Sequence, residues 1–118
     1  MEMKRTSVNL FTLKENGKGQ LEMVVLSNKK GYYGIIENVF VEEKFRGKGV
    51  ATKLMGEAKC LAETLRLYKI VLTCSEELID FYKGYGFEWQ EGGQAFCMRM
   101  DFKEHTNESR RKNKCKTK

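Results

Sequence analysis

Proline is absent from this chain and histidine occurs once. Without proline, turns fall to the 11 glycines and to Asn, Asp and Ser. The four cysteines, Cys60, Cys74, Cys97 and Cys115, include no C-x-x-C pair, and the one histidine, His105, stands in the C-terminal tail. That leaves no clustered ligand set, so no metal site is expected. Cys60, Cys74 and Cys97 read as buried, reduced thiols. Long apolar runs are also missing: none approaches the roughly 20 residues that cross a bilayer. Residues 1–5 lead into no signal-peptide core. The expectation is a cytoplasmic protein with no membrane partner.

What is present is the balance of a folded domain. Hydrophobic residues make up 41% and charged residues 32% of 118, which excludes a disordered chain and leaves room for one domain rather than two. The net charge of +6 is uneven, because residues 103–118 hold seven Lys/Arg against two Glu. The division is therefore a domain over 1–102 and a basic, disordered tail over 103–118. A charge confined to a tail argues against sequence-specific nucleic-acid binding and allows only non-specific contact there.

Apolar runs at 8–13 and 21–26 flank the turn 15–19 and predict a β-hairpin. A third strand is predicted over 33–41, continuous enough to be covered on both faces. Two glycines then break the chain before a helix over 50–67, with Ala51, Leu54, Met55, Ala58, Leu61, Ala62 and Leu65 at helical spacing. A short strand over 69–74, a second helix over 76–85 and a closing hairpin of 87–89 with 95–102 complete the order. The strand–helix–strand step makes 33–41 and 69–74 parallel neighbours in an α/β fold.

Arg46-Gly47-Lys48-Gly49-Val50-Ala51 joins that third strand to the long helix. The first amides of a helix lack internal acceptors, and glycine lets a ligand approach them closely. Arg46 and Lys48 add positive charge. The turn is read as an anion site or, more plainly, as a glycine turn with two solvated cations. Neither the Walker pattern nor G-x-G-x-x-G is present.

The pattern R/Q-x-x-G-x-G/A, filled by Arg46, Gly49 and Ala51, resembles the acetyl-CoA motif of the GNAT N-acetyltransferases. Phe81-Tyr82-Lys83-Gly84-Tyr85-Gly86-Phe87 resembles the F-Y-x-x-x-G-F segment of that family. The resemblance covers about 24–101. It implies a mixed, splayed β-sheet with flanking helices, shortened at its N-terminus, whose acetyl-CoA lies in the splay. The implied cofactor contacts are Val39, Phe40 and Val41 along the strand, Arg46, Gly47, Lys48, Gly49, Val50 and Ala51 at the diphosphate, and Tyr82 near the sulfur.

Acetyl transfer from a thioester needs a neutral amine, a polarised carbonyl and a proton for the leaving thiolate. The resemblance makes Tyr82 the proton donor; the plainer reading is a core aromatic beside Phe81. Glu37, a carboxylate in an apolar stretch, either takes the amine's proton or is solvated on the open side of the sheet.

Gly34-Ile35-Ile36-Glu37-Asn38-Val39 and the run from Tyr68 to Glu76 resemble the glucosamine-6-phosphate N-acetyltransferase branch of the family. This chain has Ile35, Asn38 and Thr73 where that branch has His, Asp and an acidic residue. Glu37, Asn38 and Thr73 are the candidate contacts to the amine. Arg99 is the candidate for a substrate phosphate, against the plainer reading of a solvated strand arginine. Members of that branch are dimers, so Phe96, Met98 and Met100 serve either a homodimer contact or this chain's own core. The expected activity is acetylation of a small-molecule amine such as glucosamine 6-phosphate. The alternatives are a protein, polyamine or aminoglycoside amine, or a CoA-binding protein without catalysis.

Overall fold

The computed structural model describes residues 1–4, 9–90, 96–102 and 105, with the side chains of Trp89, Gln90, Phe96 and Cys97 left aside. Six strands form one mixed sheet: β1 (Asn9–Glu15), β2 (Gly19–Asn28), β3 (Gly31–Val41), β4 (Lys69–Cys74), β5 (Glu88–Gln90) and β6 (Phe96–Asp101). Their spatial order is β1-β2-β3-β4-β6-β5. Helix α1 (Val50–Leu65) links β3 to β4, and α2 (Ile79–Lys83) links β4 to β5. Only β3 and β4 are parallel; every other pair is antiparallel. The hairpin and the crossover expected from the sequence are both there.

One face of the sheet is the core. Leu21, Met23 and Val25 of β2, Ile36 of β3, Ile70 and Leu72 of β4 and Met98 of β6 are buried on it. Val50, Leu54, Met55, Ala58 and Ala62 of α1 pack against them. These are the positions that helical and strand periodicity select. Cys60 falls outside the apolar stripe and is exposed, not buried as expected, while Cys74 is half-buried. Met98, fully buried, and Met100, packed on its edge, belong to this core. They therefore serve this chain rather than a partner's surface.

The opposite face carries Leu10, Glu22, Val24, Ile35, Glu37, Val71, Thr73 and Arg99. None of these is buried. The expectation that β3 is covered on both faces fails here, because no described element lies over this side. The long helix also stops two residues early: Arg66 adopts φ 56°, ψ 47°, and its N–H closes the last turn on Ala62 and Glu63. The second helix begins later than expected. Glu76–Leu78 is a 3-10 turn, and the α-helix proper is five residues long. The turn of the closing hairpin lies outside the described residues.

Of the segment assigned to a tail, only His105 is described, and it is buried. Its Nδ1 sits 3.0 Å from the Leu67 carbonyl, to which it donates, and its ring stacks on Phe102. The rest of that segment lies outside the described residues.

β3 pairs with β4 only at Gly34↔Ile70 and Ile35↔Val71. β3 then runs six residues further, to Val41. The cause of the divergence is a bulge: Glu22 pairs with Glu37, but Gln20 pairs with Phe40, so Asn38 and Val39 together oppose Leu21. Asn38 takes φ 53°, a conformation that asparagine tolerates better than other non-glycine residues. Its amide nitrogen donates to the Glu22 carboxylate, which fixes the bulge in place. A bulge of this kind bends its strand and strengthens the local twist, which carries the end of β3 away from β4.

Beyond the bulge, β3 is clamped against the start of β2. A Cβ on Gly19 would lie 2.6 Å from the Phe40 carbonyl oxygen and 3.2 Å from both the Val41 Cα and Val50 Cγ1. Backbone cannot yield as a side-chain tip can. Gly19→Ala is expected to cost about 1–3 kcal/mol by forcing β2 and β3 apart. Chemical denaturation checks this; an unchanged midpoint would show that the strands are not held there.

Candidate active site

The bent end of β3 delivers the chain to a 3-10 turn, Glu43–Phe45, and then to the glycine-rich junction. Arg46 turns back, and its Nε donates to the Val41 carbonyl at 3.0 Å. That carbonyl lies in the part of β3 that β4 has left. Gly47 and Gly49 have φ of 76° and 84°, where an L side chain is strained. Gly49 is also the residue before the helix, and it brings no capping side chain. The first backbone bond into α1 is from the Lys53 N–H to the Gly49 carbonyl, 3.0 Å. The amides of Val50, Ala51 and Thr52 are therefore the helix's orphan donors. The first turn carries no acidic residue to satisfy the positive end of the helix dipole.

A Cβ added at Gly47 or Gly49 would meet nothing within 4 Å. It would project into open space beside the amides, in the volume a phosphate would fill. Donors without acceptors, glycines that clear the approach and cations on both sides fit a diphosphate. Arg46, Lys48 and the open amides are the groups that would hold it.

This junction is one wall of a groove of about 550 Å³. Val39, Phe40 and Val41 form a second wall, and Leu78, Phe81, Tyr82 and Tyr85 the third. Nine of the ten residues expected to contact a cofactor line this one cleft; Lys48, between Gly47 and Gly49 in sequence, is not among them. Tyr82 is 6% exposed, and its ring meets Phe81 and Phe87 edge-on, with centroids 5.0 and 6.0 Å away. The plainer reading holds, since Tyr82 is a core aromatic, and the residue also lines the groove. Burial pushes the phenol above its ordinary value of 10.0, and the neighbouring Cys74 and Tyr85 push the same way. At neutral pH Tyr82 keeps its proton and can donate it.

Glu37 is exposed on the other face of the sheet, directly across from Glu22. Two carboxylates opposed across strands repel, so the pair suits a bound cation. Thr73 is exposed on the same face. The Asn38 amide is already engaged by Glu22. Arg99, also on this face, forms a two-pronged ion pair with Asp101, its Nη2 and Nε lying 2.7 and 3.0 Å from Oδ1. The sequence gave no sign of that pairing, and any contact of Arg99 with a phosphate would compete with it. Glu37 and Tyr82 therefore lie on opposite faces, with the gap between β3 and β4 as the route from one to the other.

Sequence reasoning passed over Thr52 and Tyr85. Their hydroxyls lie 2.6 Å apart and tie the first turn of α1 to the end of α2. Tyr85 stands inside the quoted aromatic-glycine segment, so a signal was present without a role attached. Phe45 carried no sequence signal; only the tertiary structure sets it beside three lysines. Among the described residues no group of three or more His, Cys, Asp or Glu could hold a metal ion.

A family model described as "Acetyltransferase (GNAT) domain" matches residues 7–89. "Glucosamine 6-phosphate N-acetyltransferase 1" of Dictyostelium discoideum is 36% identical over 58 residues, covering 49% of this chain and 37% of that protein. The crystal structure of glucosamine-6-phosphate N-acetyltransferase from Arabidopsis thaliana superposes with a TM-score of 0.62 at 25% identity, over 65% of this chain and 54% of that one. A GNAT family acetyltransferase from Elizabethkingia anophelis, solved with acetyl-CoA bound, shares the fold at a TM-score of 0.62 and 18% identity, over 80% of this chain and 76% of that one. The chain thus spans about a third to a half of the length of the glucosamine-6-phosphate relatives it matches.

The raised Tyr82 value has a consequence for stability. Below pH 10 the phenol is neutral in both folded and unfolded chains and changes nothing. Above it the unfolded chain ionises first, so stability contributed by the neutral phenol is lost as pH rises towards the folded value. Tyr82→Phe should flatten the loss of thermal stability between pH 10 and 11 relative to the parent. Parallel melting curves across that range would show that the phenol is not held in its neutral form.

Proposed function

This chain belongs to the GNAT acetyltransferase family, and on that premise we propose that it moves an acetyl group from acetyl-CoA to a primary amine, with glucosamine 6-phosphate as the acceptor. The observation that carries the reading is the gathering of the first turn of α1, the released end of β3 and Tyr82 around one groove. Acetyl-CoA, when bound, supplies an acetyl group already activated as a thioester.

The rest is the work of this chain's own residues. Val50, Ala51 and the two glycines before them offer amides to the diphosphate, with Arg46 and Lys48 offsetting its charge. The unpaired edge from Val39 to Val41 offers backbone groups to an extended amide-bearing arm, and an N–H near Val39 or Phe40 polarises the thioester carbonyl. Glu37 takes a proton from the substrate ammonium, directly or through water, and the neutral nitrogen then attacks the thioester carbonyl, its second proton passing to water as the adduct collapses. Tyr82 gives its proton to the departing sulfur as the C–S bond breaks. The amine and sulfur protons are handled on opposite faces of the sheet, so one group does not have to serve both.

Glucosamine 6-phosphate rests on the Glu37 strand and on the relatives at 36% and 25% identity. A second reading, a larger amine such as a peptide N-terminus or a polyamine, is favoured by one feature. Glu22, Glu37 and Thr73 stand on a sheet face that no described element covers. The homodimer is a proposal that draws on the family resemblance, and the cytoplasmic location one that draws on the sequence. No helix among the described residues is long and apolar enough to cross a membrane.

Thiol release from acetyl-CoA over a panel of amines tests this directly. Turnover is expected with glucosamine 6-phosphate, and Tyr82→Phe should lower kcat by about 10²-fold with little change in acetyl-CoA KM. Turnover with peptides or polyamines alone would move the acceptor to the second reading. Coenzyme A binding without turnover on any amine would make the chain a non-catalytic binder.

A further inference from the structure

Three lysines from three separate places converge on Phe45. The Nζ of Lys18, in the turn between β1 and β2, lies 5.6 Å from the ring centroid, that of Lys44 5.5 Å and that of Lys48 5.8 Å. The convergence is built by the backbone. The Glu42 N–H donates to the Lys18 carbonyl at 2.7 Å, which fastens the hairpin turn to the segment that carries Lys44. Phe45 itself is half-buried and packed against the core, so the ring is a fixed platform. Each cation gains from the negative face of the ring, yet the three repel one another.

Among the described residues no carboxylate forms an ion pair with any of the three. Lys53, by contrast, is bonded to Glu15 at 2.9 Å. A cluster of like charges held together without a counter-charge is arranged for an anion that comes from outside. The diphosphate accounts for Lys48 alone: the α1 amides and Arg46 stand beside Lys48 at that group, and neither Lys18 nor Lys44 is needed there. Phe45 lines the same groove, so the lysines stand at its rim, one step further out.

Coenzyme A carries a second anionic group, a dianionic phosphomonoester on the 3′-oxygen of its ribose. Resting on the acetyl-CoA reading above, we infer that Lys18, Lys44 and Lys48 around Phe45 form the subsite for that 3′-phosphate. The subsite makes the protein select coenzyme A over its dephosphorylated form. Phe45 acts as the positioning residue, holding three flexible side chains over one spot before the ligand arrives and so lowering the entropy lost on binding.

Titration calorimetry with coenzyme A and with dephospho-coenzyme A tests the inference, because the two differ only in this phosphate. The parent protein is expected to bind coenzyme A about tenfold more tightly, the scale of charge-assisted contacts to one phosphate. In Lys18→Ala/Lys44→Ala that preference should fall below about threefold while the affinity for dephospho-coenzyme A holds, which also reports an intact fold. Lys18→Arg/Lys44→Arg should keep the preference. Equal affinities in the parent, or an undiminished preference in the alanine variant, would overturn the subsite and leave the acetyl-CoA reading standing. Failure of the parent to bind either ligand would remove both. Should the alanine variant instead lose salt-sensitive binding of a single-stranded oligonucleotide with its coenzyme preference unaltered, the lysines serve nucleic acid and the inference is wrong.

Discussion

The first turn of α1 has backbone donors and, among the described residues, no side-chain cap to receive them. Val50, Ala51 and Thr52 start a 16-residue helix whose leading residue is a glycine at φ 84°, with no side-chain cap and no acidic neighbour in the turn. Most helices close this deficit with Ser, Thr, Asp or Asn. Here the deficit is kept, and positive charge is added beside it. Two glycines with left-handed geometry keep side chains clear of the approach. The chain forgoes stability at this helix end, and that loss is recovered when an anion binds.

An open helix end is of use only if a ligand can lie along it, and the sheet provides the space. Asn38, locked to Glu22, forces an extra residue into β3 and turns its last residues from β4. The same bend sends the chain into the glycine junction and leaves the edge of β3 unpaired beside the groove. It also opens a way through the sheet. Tyr82, kept protonated by burial, waits on one face, and the Glu22–Glu37 pair waits on the other. A single local irregularity therefore links the face proposed for the cofactor to the face proposed for the acceptor.

The large features were legible because they rest on periodicity. Leu54, Met55, Ala58 and Ala62 announce α1, and that pattern omits Cys60, which is exposed. The step from β3 through α1 to β4 follows from chain order alone. The bulge was not legible, since Asn38 reads as an ordinary polar residue in a strand until its left-handed conformation is seen. The second helix was overestimated because three of its residues form a 3-10 turn, and a segment that short shows no full helical period. Lys18 gave no warning, lying 27 residues before Phe45 in sequence. Its closeness to that ring comes from hairpin packing. Arg99 was placed on the right strand, but its pairing with Asp101 depends on side-chain geometry that spacing does not encode.

Backbone amide NMR during titration with coenzyme A addresses the helix mouth most directly, because it reads each donor separately. The largest saturable downfield shifts are expected for Gly47, Gly49, Val50 and Ala51, with smaller ones along Val39 to Val41. Shifts centred elsewhere, with the amides of α1's first turn unmoved at saturation, would contradict the assignment of that turn to the diphosphate.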